Sequence, residues 1–141
     1  MNVFTTRFAR DDDAESIELV IHQWRGTDKR RERVEAIRGA MQKAGHDIIL
    51  AESGGKIIGV LHLVIHPDVM FGGQYSHIAF LLVDEDHRRK GVASKLLEKA
   101  MEKAKQQGAA EIHVDTMEKE AEQLFRKRGF EDDGVMLARG L

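Results

Sequence analysis

The sequence predicts an α/β fold, a single mixed sheet flanked by helices in the order β-α-α-β-β-β-α-β-α-β. Three observations lead to this prediction. An apolar run at residues 78–83 precedes a basic loop with Gly91 and then an amphipathic pattern, which indicates strand, loop and helix. Two apolar segments within residues 47–66 flank a Gly-Gly turn, which is typical of a β-hairpin. Apolar residues at helical spacing precede the hairpin and predict two helices there.

The first half of the chain predicts one strand, two helices and the hairpin. Residues 3–9 predict a first strand, because Phe4, Thr6 and Phe8 alternate with Thr5 and Arg7. Asp11–Asp13 favour a helix N-terminus, because carboxylates suit its free N–H groups and its positive dipole end. The apolar face of this helix is marked by Ile17, Val20, Ile21 and Trp24. A second helical pattern begins after Gly26 and ends near Gly45, and the hairpin turns at Ser53–Lys56.

The second half predicts two helices and the remaining strands. After the strand at residues 78–83, an amphipathic helix is expected from Val92 to a C-terminal cap at Gly108. Residues Glu111–Thr116 predict a short strand. A last helix is expected to end at Gly129, and its apolar positions are Ala121, Leu124 and Phe125. Residues 130–139, from Phe130 to Arg139, predict the final strand.

Composition and charge limit the classes of protein that this chain could be. Its 141 residues fit a single domain spanning residues 1–141, and 42% hydrophobic residues suffice for a core. A net charge of −2 argues against a general nucleic-acid binder, and we interpret the basic run Lys29–Arg33 as a solvated helix face. The absence of cysteine excludes disulfides, thiolate metal sites and cysteine nucleophiles. Residues 1–7 lack the apolar core of a signal peptide, and no apolar stretch could span a membrane, so we expect a cytoplasmic protein.

The loop that precedes Val92 has the features of an anion-binding site at a helix N-terminus. The first turn of a helix has N–H groups without intrahelical partners, and the helix dipole adds partial positive charge there. Gly91 lacks a Cβ, so a phosphate could approach the backbone closely. Arg88, Arg89 and Lys90 add positive charge in the same place. The loop has neither the Gly-Lys-Ser/Thr ending of the Walker pattern nor the three spaced glycines of the dinucleotide-binding pattern.

The remaining pattern, Arg88-x-x-Gly91-x-Ala93 after a strand that ends in Leu-x-Val, resembles the acyl-CoA pyrophosphate loop of the GNAT superfamily of N-acetyltransferases. That loop reads Gln/Arg-x-x-Gly-x-Gly/Ala. A second stretch resembles the family's late motif Ala-x-x-Leu-Tyr-x-Lys-x-Gly-Phe, and its matching residues are Ala121, Leu124, Phe125, Lys127, Gly129 and Phe130. The predicted order of elements is also that of the GNAT fold, so the resemblance covers nearly the whole chain.

The resemblance implies that the chain uses acetyl-CoA as a cosubstrate. In this family acetyl-CoA lies in a split between two parallel strands, here the strand that ends at Val83 and the strand Glu111–Thr116. Backbone groups of Leu81, Leu82 and Val83 are then expected to bond the acetyl carbonyl and the pantetheine arm, and an N–H group near Leu82 to stabilise the oxyanion. The pyrophosphate is expected to bind backbone N–H groups of Arg88, Arg89, Lys90, Gly91, Val92, Ala93 and Ser94.

The acceptor amine must lose a proton before it attacks, and His77 is one candidate for the base. A lysine-like amine, with a pKa of about 10.4, is unprotonated in only about one molecule per 10³ at pH 7. His77 lies where the histone-acetylating branch of the family has a Glu base. Strand alternation predicts that His77 shares a face with Ala79, Leu81 and Val83 unless a bulge intervenes. The alternative is a surface or packing histidine.

Asp115 is the second candidate. The sequence Val114-Asp115-Thr116 resembles the Ser-Asp-Thr of aminoglycoside 6′-N-acetyltransferases, whose Asp faces the substrate amine. A carboxylate there would attract a polycation. The alternative is an Asp that caps the turn at the end of a strand. The resemblance weakens after Asp115, because the connection to the last helix is shorter and the family's common Asn is absent.

Phe125 departs from the family pattern. Many GNAT enzymes have Tyr at this position, where it can protonate the departing CoA thiolate, and Phe cannot donate a proton. We therefore expect Phe125 to contact the cofactor without this chemistry. No metal site is expected, because His62 and His66, four residues apart on a strand, are separated by about 13 Å.

The sequence thus predicts an N-acetyltransferase that moves an acetyl group from acetyl-CoA to a primary amine by direct attack in a ternary complex. One alternative is an enzyme like the aminoglycoside 6′-N-acetyltransferases. Another, suggested by Phe125, is a non-catalytic regulator that binds acyl-CoA. The expected partner is a small-molecule or peptide amine rather than nucleic acid or a membrane. The sequence is also compatible with a homodimer.

Overall fold

The computed structural model describes residues 3–26, 28–116 and 119–141, and these contain one five-stranded sheet in the order β1-β2-β3-β4-β5. The strands are β1 Thr5–Phe8, β2 His46–Ser53, β3 Lys56–Pro67, β4 Gln74–Val83 and β5 Ala109–Val114. Neighbouring strands are antiparallel from β1 to β4, whereas β4 and β5 are parallel. The helices are α1 Ala14–Arg25, α2 Arg30–Met41, α3 Val92–Gln106 and α4 Lys119–Lys127. The predicted mixed sheet flanked by helices is confirmed.

Each face of the sheet has its own apolar core. The core under α3 and α4 consists of Ile49, Ala51, Ile58, Leu61, Leu63, Ile78, Val92, Leu96, Leu97, Ala100 and Phe125. The core under α1 and α2 consists of Ala14, Ile17, Val20, Ile37, Ile48, Leu50, Ile57 and Val60. The central strands are apolar on both sides because helices cover both faces of the sheet there.

A buried carboxylate joins α1 to α2. Glu18 is fully buried and accepts hydrogen bonds from the guanidinium groups of Arg30 and Arg33. Burial opposes ionisation of Glu18, but the hydrogen bonds from Arg33 and Arg30 outweigh it and hold its pKa below the ordinary value. The basic run Lys29–Arg33 is therefore not a wholly solvated helix face, since two of its arginines turn inward to this ion pair.

A β-bulge interrupts the register of β3 and β4. His62 on β3 pairs with Phe80, but the next residue, Leu63, pairs with Ile78. Ala79 is therefore an extra residue on β4, opposite no residue of β3. The side chains on the two sides of Ala79 consequently follow different phases of the strand alternation.

The bulge overturns the predicted orientation of His77. Leu81 and Val83 pack against the core under α3, as does Ile78. Because His77 precedes Ile78 on the strand, its side chain projects from the opposite face, where its ring contacts that of Tyr75. His77 therefore does not share a face with Leu81 and Val83.

The final strand predicted from Phe130 to Arg139 does not form. This segment has no regular secondary structure, and β4 is the only strand of the described chain that pairs with β5. The run Glu131–Asp133 and Gly134 interrupt the segment, because Asp and Gly are poor strand residues. The apolar residues that follow are exposed.

Other boundaries differ by a few residues from those predicted. The second helix ends at Met41 rather than near Gly45, and β5 ends at Val114, so that Asp115 and Thr116 follow the strand. In the part of the chain that the structure describes, no helix has both the length and the apolar character needed to cross a membrane.

Candidate active site

The pairing of β4 with β5 ends halfway along β4. The two strands pair in parallel from Gln74 and Ala109 to Ile78 and Val114. Beyond that point β4 continues to its end while paired with β3 alone among the described strands. A strip of β4 backbone, residues 79–83, therefore borders a gap on the side of β5.

The predicted cofactor residues of β4 can offer backbone groups to this gap. The side chains of Leu81 and Val83 pack against the core under α3, and that of Leu82 packs against the core under α1. Because packing occupies all three side chains, the peptide groups of this strip are what remains for a ligand.

The loop from Asp84 to Gly91 ends in an uncapped helix N-terminus. Gly91 is the residue that precedes α3, its φ is 82°, and no side chain caps the helix. A Cβ built at Gly91 would have no atom within 4 Å, and the first turn of α3 contains no acidic residue. The first N–H groups of α3 therefore have no side-chain cap at the positive end of the helix dipole, and this arrangement suits an anion such as a pyrophosphate.

The three basic residues of this loop have different surroundings. Arg88 turns back towards α1, where its guanidinium carbon lies 4.3 Å from the centroid of the Trp24 ring. Its Nε also lies 3.5 Å from the carbonyl oxygen of Val83. Arg89 and Lys90 are exposed. Arg89 and Lys90 therefore supply the exposed positive charge near the α3 N-terminus, and Arg89 is ion-paired there with Glu120 of α4 at 3.0 Å. Arg88 instead braces the loop against α1.

Asp84 fixes the start of the loop, and sequence reasoning missed it. Its buried carboxylate accepts a hydrogen bond of 2.6 Å from Nε2 of Gln23 on α1 and lies 2.8 Å from Nδ1 of His87. Burial opposes ionisation, but the bonds to His87 and Gln23 outweigh it and hold the pKa of Asp84 below its ordinary value. A charged, buried Asp84 thus ties the loop to the end of α1.

A cleft of about 910 Å³ lies between the sheet, α4 and the C-terminal segment. It brings together three predicted site residues, His77, Asp115 and Phe125, whereas the loop before α3 does not line it. Its charged lining is mostly acidic, with one arginine, and consists of Asp115, Glu122, Arg126, Glu131, Asp132 and Asp133. The remaining lining residues include Tyr75, His113, Phe130 and Met136.

His77 is half-buried in the wall of this cleft. Burial is the largest cause of a pKa below the ordinary value of histidine; the charge of His66 acts in the same direction, and Asp115 partly opposes both. The imidazole is therefore neutral at pH 7. A neutral imidazole at the cleft surface can accept a proton.

Aromatic rings connect His77 to the other side of the cleft. The Tyr75 ring stacks on His113 of β5 with centroids 4.5 Å apart and on His66 of β3 with centroids 5.0 Å apart. Burial raises the pKa of the Tyr75 phenol, and the carboxylate of Asp115 adds to the shift. Asp115 itself is exposed just after β5, so its charge is available to a ligand.

A second pair of histidines lies further along the same face. Nδ1 of His46 and Nε2 of His62 are 3.1 Å apart, so one ring donates and the other accepts. Burial, followed by the charges of His46 and His77, lowers the pKa of His62 to about 4. His62 is consequently neutral at physiological pH.

Phe125 closes the base of the cleft. It is 4% exposed, belongs to the core under α3, and packs edge to face on Phe130 with ring centroids 5.2 Å apart. One side of the ring lines the cleft. The position that is Tyr in many relatives is therefore structural here and has no hydroxyl to donate.

Sequence reasoning found His77 and Asp115 but missed the side chains that lie around them. Tyr75 and His77 are two residues apart on β4, and Glu111, His113 and Asp115 are spaced by two at and just after β5. Strand alternation places each set on one face, so this spacing was the available signal.

Comparison with solved structures identifies the fold. Glucosamine-6-phosphate N-acetyltransferase from Arabidopsis thaliana has a TM-score of 0.84 at 20% identity, and the match covers 98% of each chain. An aminoglycoside N-acetyltransferase in complex with CoA has a TM-score of 0.86 at 18% identity, with 99% of this chain and 96% of that chain covered. At these identities the likeness shows a shared fold.

Comparison of sequences is more specific. N-acetyltransferase 8 of Homo sapiens is 28% identical over 96 residues, and the match covers 67% of this chain but only 42% of that relative's length. The sequence profile of the acetyltransferase (GNAT) family matches residues 10–130, which include both the loop before α3 and the late motif. The chain therefore belongs to the acetyltransferase (GNAT) family, as its two motifs predict.

Proposed function

We propose that this chain transfers an acetyl group from acetyl-CoA to a primary amine by direct attack in a ternary complex. The observation that carries the proposal is the end of the β4–β5 pairing at Ile78 and Val114, beside the uncapped N-terminus of α3. The gap offers backbone groups to a pantetheine arm and the helix offers N–H groups to a pyrophosphate. Family membership supports acetyl transfer.

The reaction needs no covalent enzyme intermediate. The amine nitrogen adds to the thioester carbonyl carbon, an N–C bond forms, and the carbonyl oxygen becomes an oxyanion. Backbone N–H groups of the β4 strip, near Leu82, would stabilise that oxyanion. The C–S bond then breaks and CoA leaves as the thiolate. The proton that the nitrogen loses passes to the thiolate through solvent, which gives the amide and the CoA thiol. The chain has no cysteine, so an acetyl group cannot be held as an enzyme thioester.

His77 and Asp115 have complementary roles in this proposal. An amine of pKa about 10.4 costs roughly 4–5 kcal/mol to deprotonate at pH 7. Neutral His77 accepts the proton, a role that typically contributes about 10²–10⁴-fold to the rate. Exposed Asp115 attracts the ammonium form and orients it towards the cleft.

The acidic lining favours an acceptor with more than one positive charge. Five carboxylates and one arginine line the cleft. The attacking amine must be neutral, so it is no longer attracted to these carboxylates. A second ammonium group on the same molecule stays charged and continues to bind them. We therefore infer that the acceptor is a diamine, a polyamine, an aminoglycoside or a basic peptide.

Thiol release from acetyl-CoA across a panel of amines tests the proposal. Because the chain contains no cysteine, a thiol reagent reports CoA alone. We expect polycationic amines to exceed matched monoamines in kcat/KM by at least about tenfold at low salt, with the advantage falling as salt screens the cleft. Equal rates for monoamines and polyamines would remove the inference about acceptor charge.

Acyl-CoA binding without catalysis is the second candidate function. The observation that favours it is Phe125, which is buried and cannot protonate a thiolate. Calorimetry with acetyl-CoA separates the two functions. Tight binding without thiol release from any amine supports the regulator, and turnover of any amine excludes it.

A further inference from the structure

We propose that Glu111, His113 and Asp133 form a binding site for one divalent transition-metal ion with the ligand preferences of zinc. One ring nitrogen and two carboxylate oxygens of these residues lie within 4.8 Å of one another. Glu111 and His113 project from the same face of β5, and Asp133 comes from the C-terminal segment beside it.

The hydrogen bond of His113 fixes which of its nitrogens faces the carboxylates. Nδ1 lies 3.1 Å from the carbonyl oxygen of Ser76, and a carbonyl can only accept, so Nδ1 carries the hydrogen. In the neutral ring Nε2 is then the nitrogen with a free lone pair. Nε2 lies 3.2 Å from Oε2 of Glu111 and 3.3 Å from Oδ2 of Asp133.

These separations suit a shared metal ion. Two ligand atoms on one tetrahedral zinc, each about 2.1 Å from the ion, lie about 3.4 Å apart. The two separations from Nε2 match this spacing, and the two carboxylate oxygens lie within 4.8 Å of each other. A cation bound between the three atoms would accept a lone pair from each of them. A nitrogen ligand favours a transition metal over Mg²⁺ or Ca²⁺, which prefer oxygen ligands alone.

The surroundings of His113 hold the ring ready for an ion. The Tyr75 ring is nearly parallel to it, with an interplanar angle of 8°, and the Ser76 bond fixes its rotation. Such outer contacts orient metal-binding histidines in known sites. Both carboxylate side chains are more than 70% exposed, so an ion can enter from solvent and water can complete its coordination.

Zinc titration of the intact chain tests the site. Calorimetry in buffer that contains excess Mg²⁺ should show one Zn²⁺ per chain. His113→Gln and Asp133→Asn should each weaken zinc binding by at least about tenfold, since even outer-shell losses cost about 10–100-fold in metal affinity. The exposed side chain of Asp133 makes its variant the safer one for folding.

Two matched variants serve as controls. His66→Gln removes another exposed histidine from the same face of the sheet. Asp132→Asn removes a neighbouring carboxylate whose partner is Arg126 rather than His113. Both should keep the zinc affinity of the wild type.

Nitrogen spectra of the imidazole rings provide a second readout. Zinc should shift Nε2 of His113 and leave its Nδ1 protonated. Absence of zinc binding, affinity unchanged in both ligand variants, or loss of affinity in His66→Gln would overturn the proposal. Retained binding in His113→Gln would mean that the three residues form only an ion pair. None of these measurements depends on acetyl-CoA or on an amine.

Discussion

The loop before α3 and the acidic cleft suit ligands of opposite charge. The loop suits an anion and the cleft suits a cation, and the two sites are formed by different chemical groups. The loop presents backbone N–H groups of one helix end, and its key residue is Gly91, which has a left-handed backbone and no side chain that could cap the helix. The cleft presents side chains from β4, β5, α4 and the C-terminal segment, most of them carboxylates and imidazoles.

The two sites therefore depend on different parts of the fold. The loop occupies a few consecutive residues, so a local change of conformation or charge alters it directly. The cleft depends on the register of strands and on the bulge at Ala79, which turns His77 towards Tyr75 and away from Leu81. The predictions that follow test the loop through charge and the cleft through protonation.

The largest expected effect comes from placing a charge at Gly91. Gly91→Asp and Gly91→Asn have the same shape, and both side chains tolerate a left-handed backbone. Charges about 4 Å apart interact by about 4 kcal/mol at a protein surface, so we expect Asp to weaken acetyl-CoA binding by at least about 10²-fold relative to Asn. Calorimetry at two salt concentrations measures the difference. Equal affinities would show that the pyrophosphate does not bind at α3.

A smaller effect is expected from His77→Gln, which removes the base but keeps polarity. We expect kcat/KM near pH 7 to fall by at least about tenfold, and the loss to shrink as pH rises and the amine deprotonates unaided. Because the pKa of His77 is below its ordinary value, wild-type activity should fall only as pH drops below about 6.5. His66→Gln should keep the plateau rate. An unchanged pH profile in His77→Gln would exclude it as the base.

The cleft face should also lose stability on acidification. The pKa of His62 is about 4 in the fold and about 6.5 when unfolded, so the unfolded state binds more protons between these values. Its contribution is complete above pH 6.5 and is lost as pH falls towards 4. We expect at most about 3 kcal/mol from this group, since each pKa unit corresponds to about 1.4 kcal/mol. Denaturant unfolding of wild type and His62→Gln should show a shallower pH dependence in the variant, and parallel curves would contradict the assignment.

The smallest expected effect is a gain in kcat of at most about a few-fold for Phe125→Tyr. A hydroxyl at the base of the cleft could protonate the departing thiolate, and acetyl-CoA affinity should change little. Steady-state kinetics with one good acceptor measures both quantities. Unchanged kcat with unchanged stability would mean that departure of the thiolate is not limiting.

Local features of the fold could be predicted from the sequence because they depend on neighbouring residues. Three such features are Gly91 after a basic run, the Gly54–Gly55 turn and the apolar spacing of α3. In each of them a few neighbouring residues determine the local backbone conformation. The bulge at Ala79 could not be predicted, because residues 78–83 are all apolar and show no alternation that a bulge would interrupt. Only the pairing with β3 reveals the extra residue.

The candidate site was predictable only in part. Arg88 follows the motif, yet its position over Trp24 depends on where α1 ends. The convergence of His113 with Asp133 depends on the course of the C-terminal segment, which the sequence predicts as a strand and the structure leaves irregular. The sequence therefore identifies the side chains of the site but does not show which of them, distant in sequence, lie next to one another.

Among the described strands β5 pairs only with β4, and its other side has a consequence for the behaviour of the protein at high concentration. A border strand with free peptide groups is a template on which strands of other molecules can add, and natural proteins block such addition with charge. Glu111 on β5 and the neighbouring run Glu131–Asp133 place carboxylates along this rim. The acidic character of this region thus also guards against aggregation, and the colloidal stability of the protein depends on carboxylates that remain charged and unmasked.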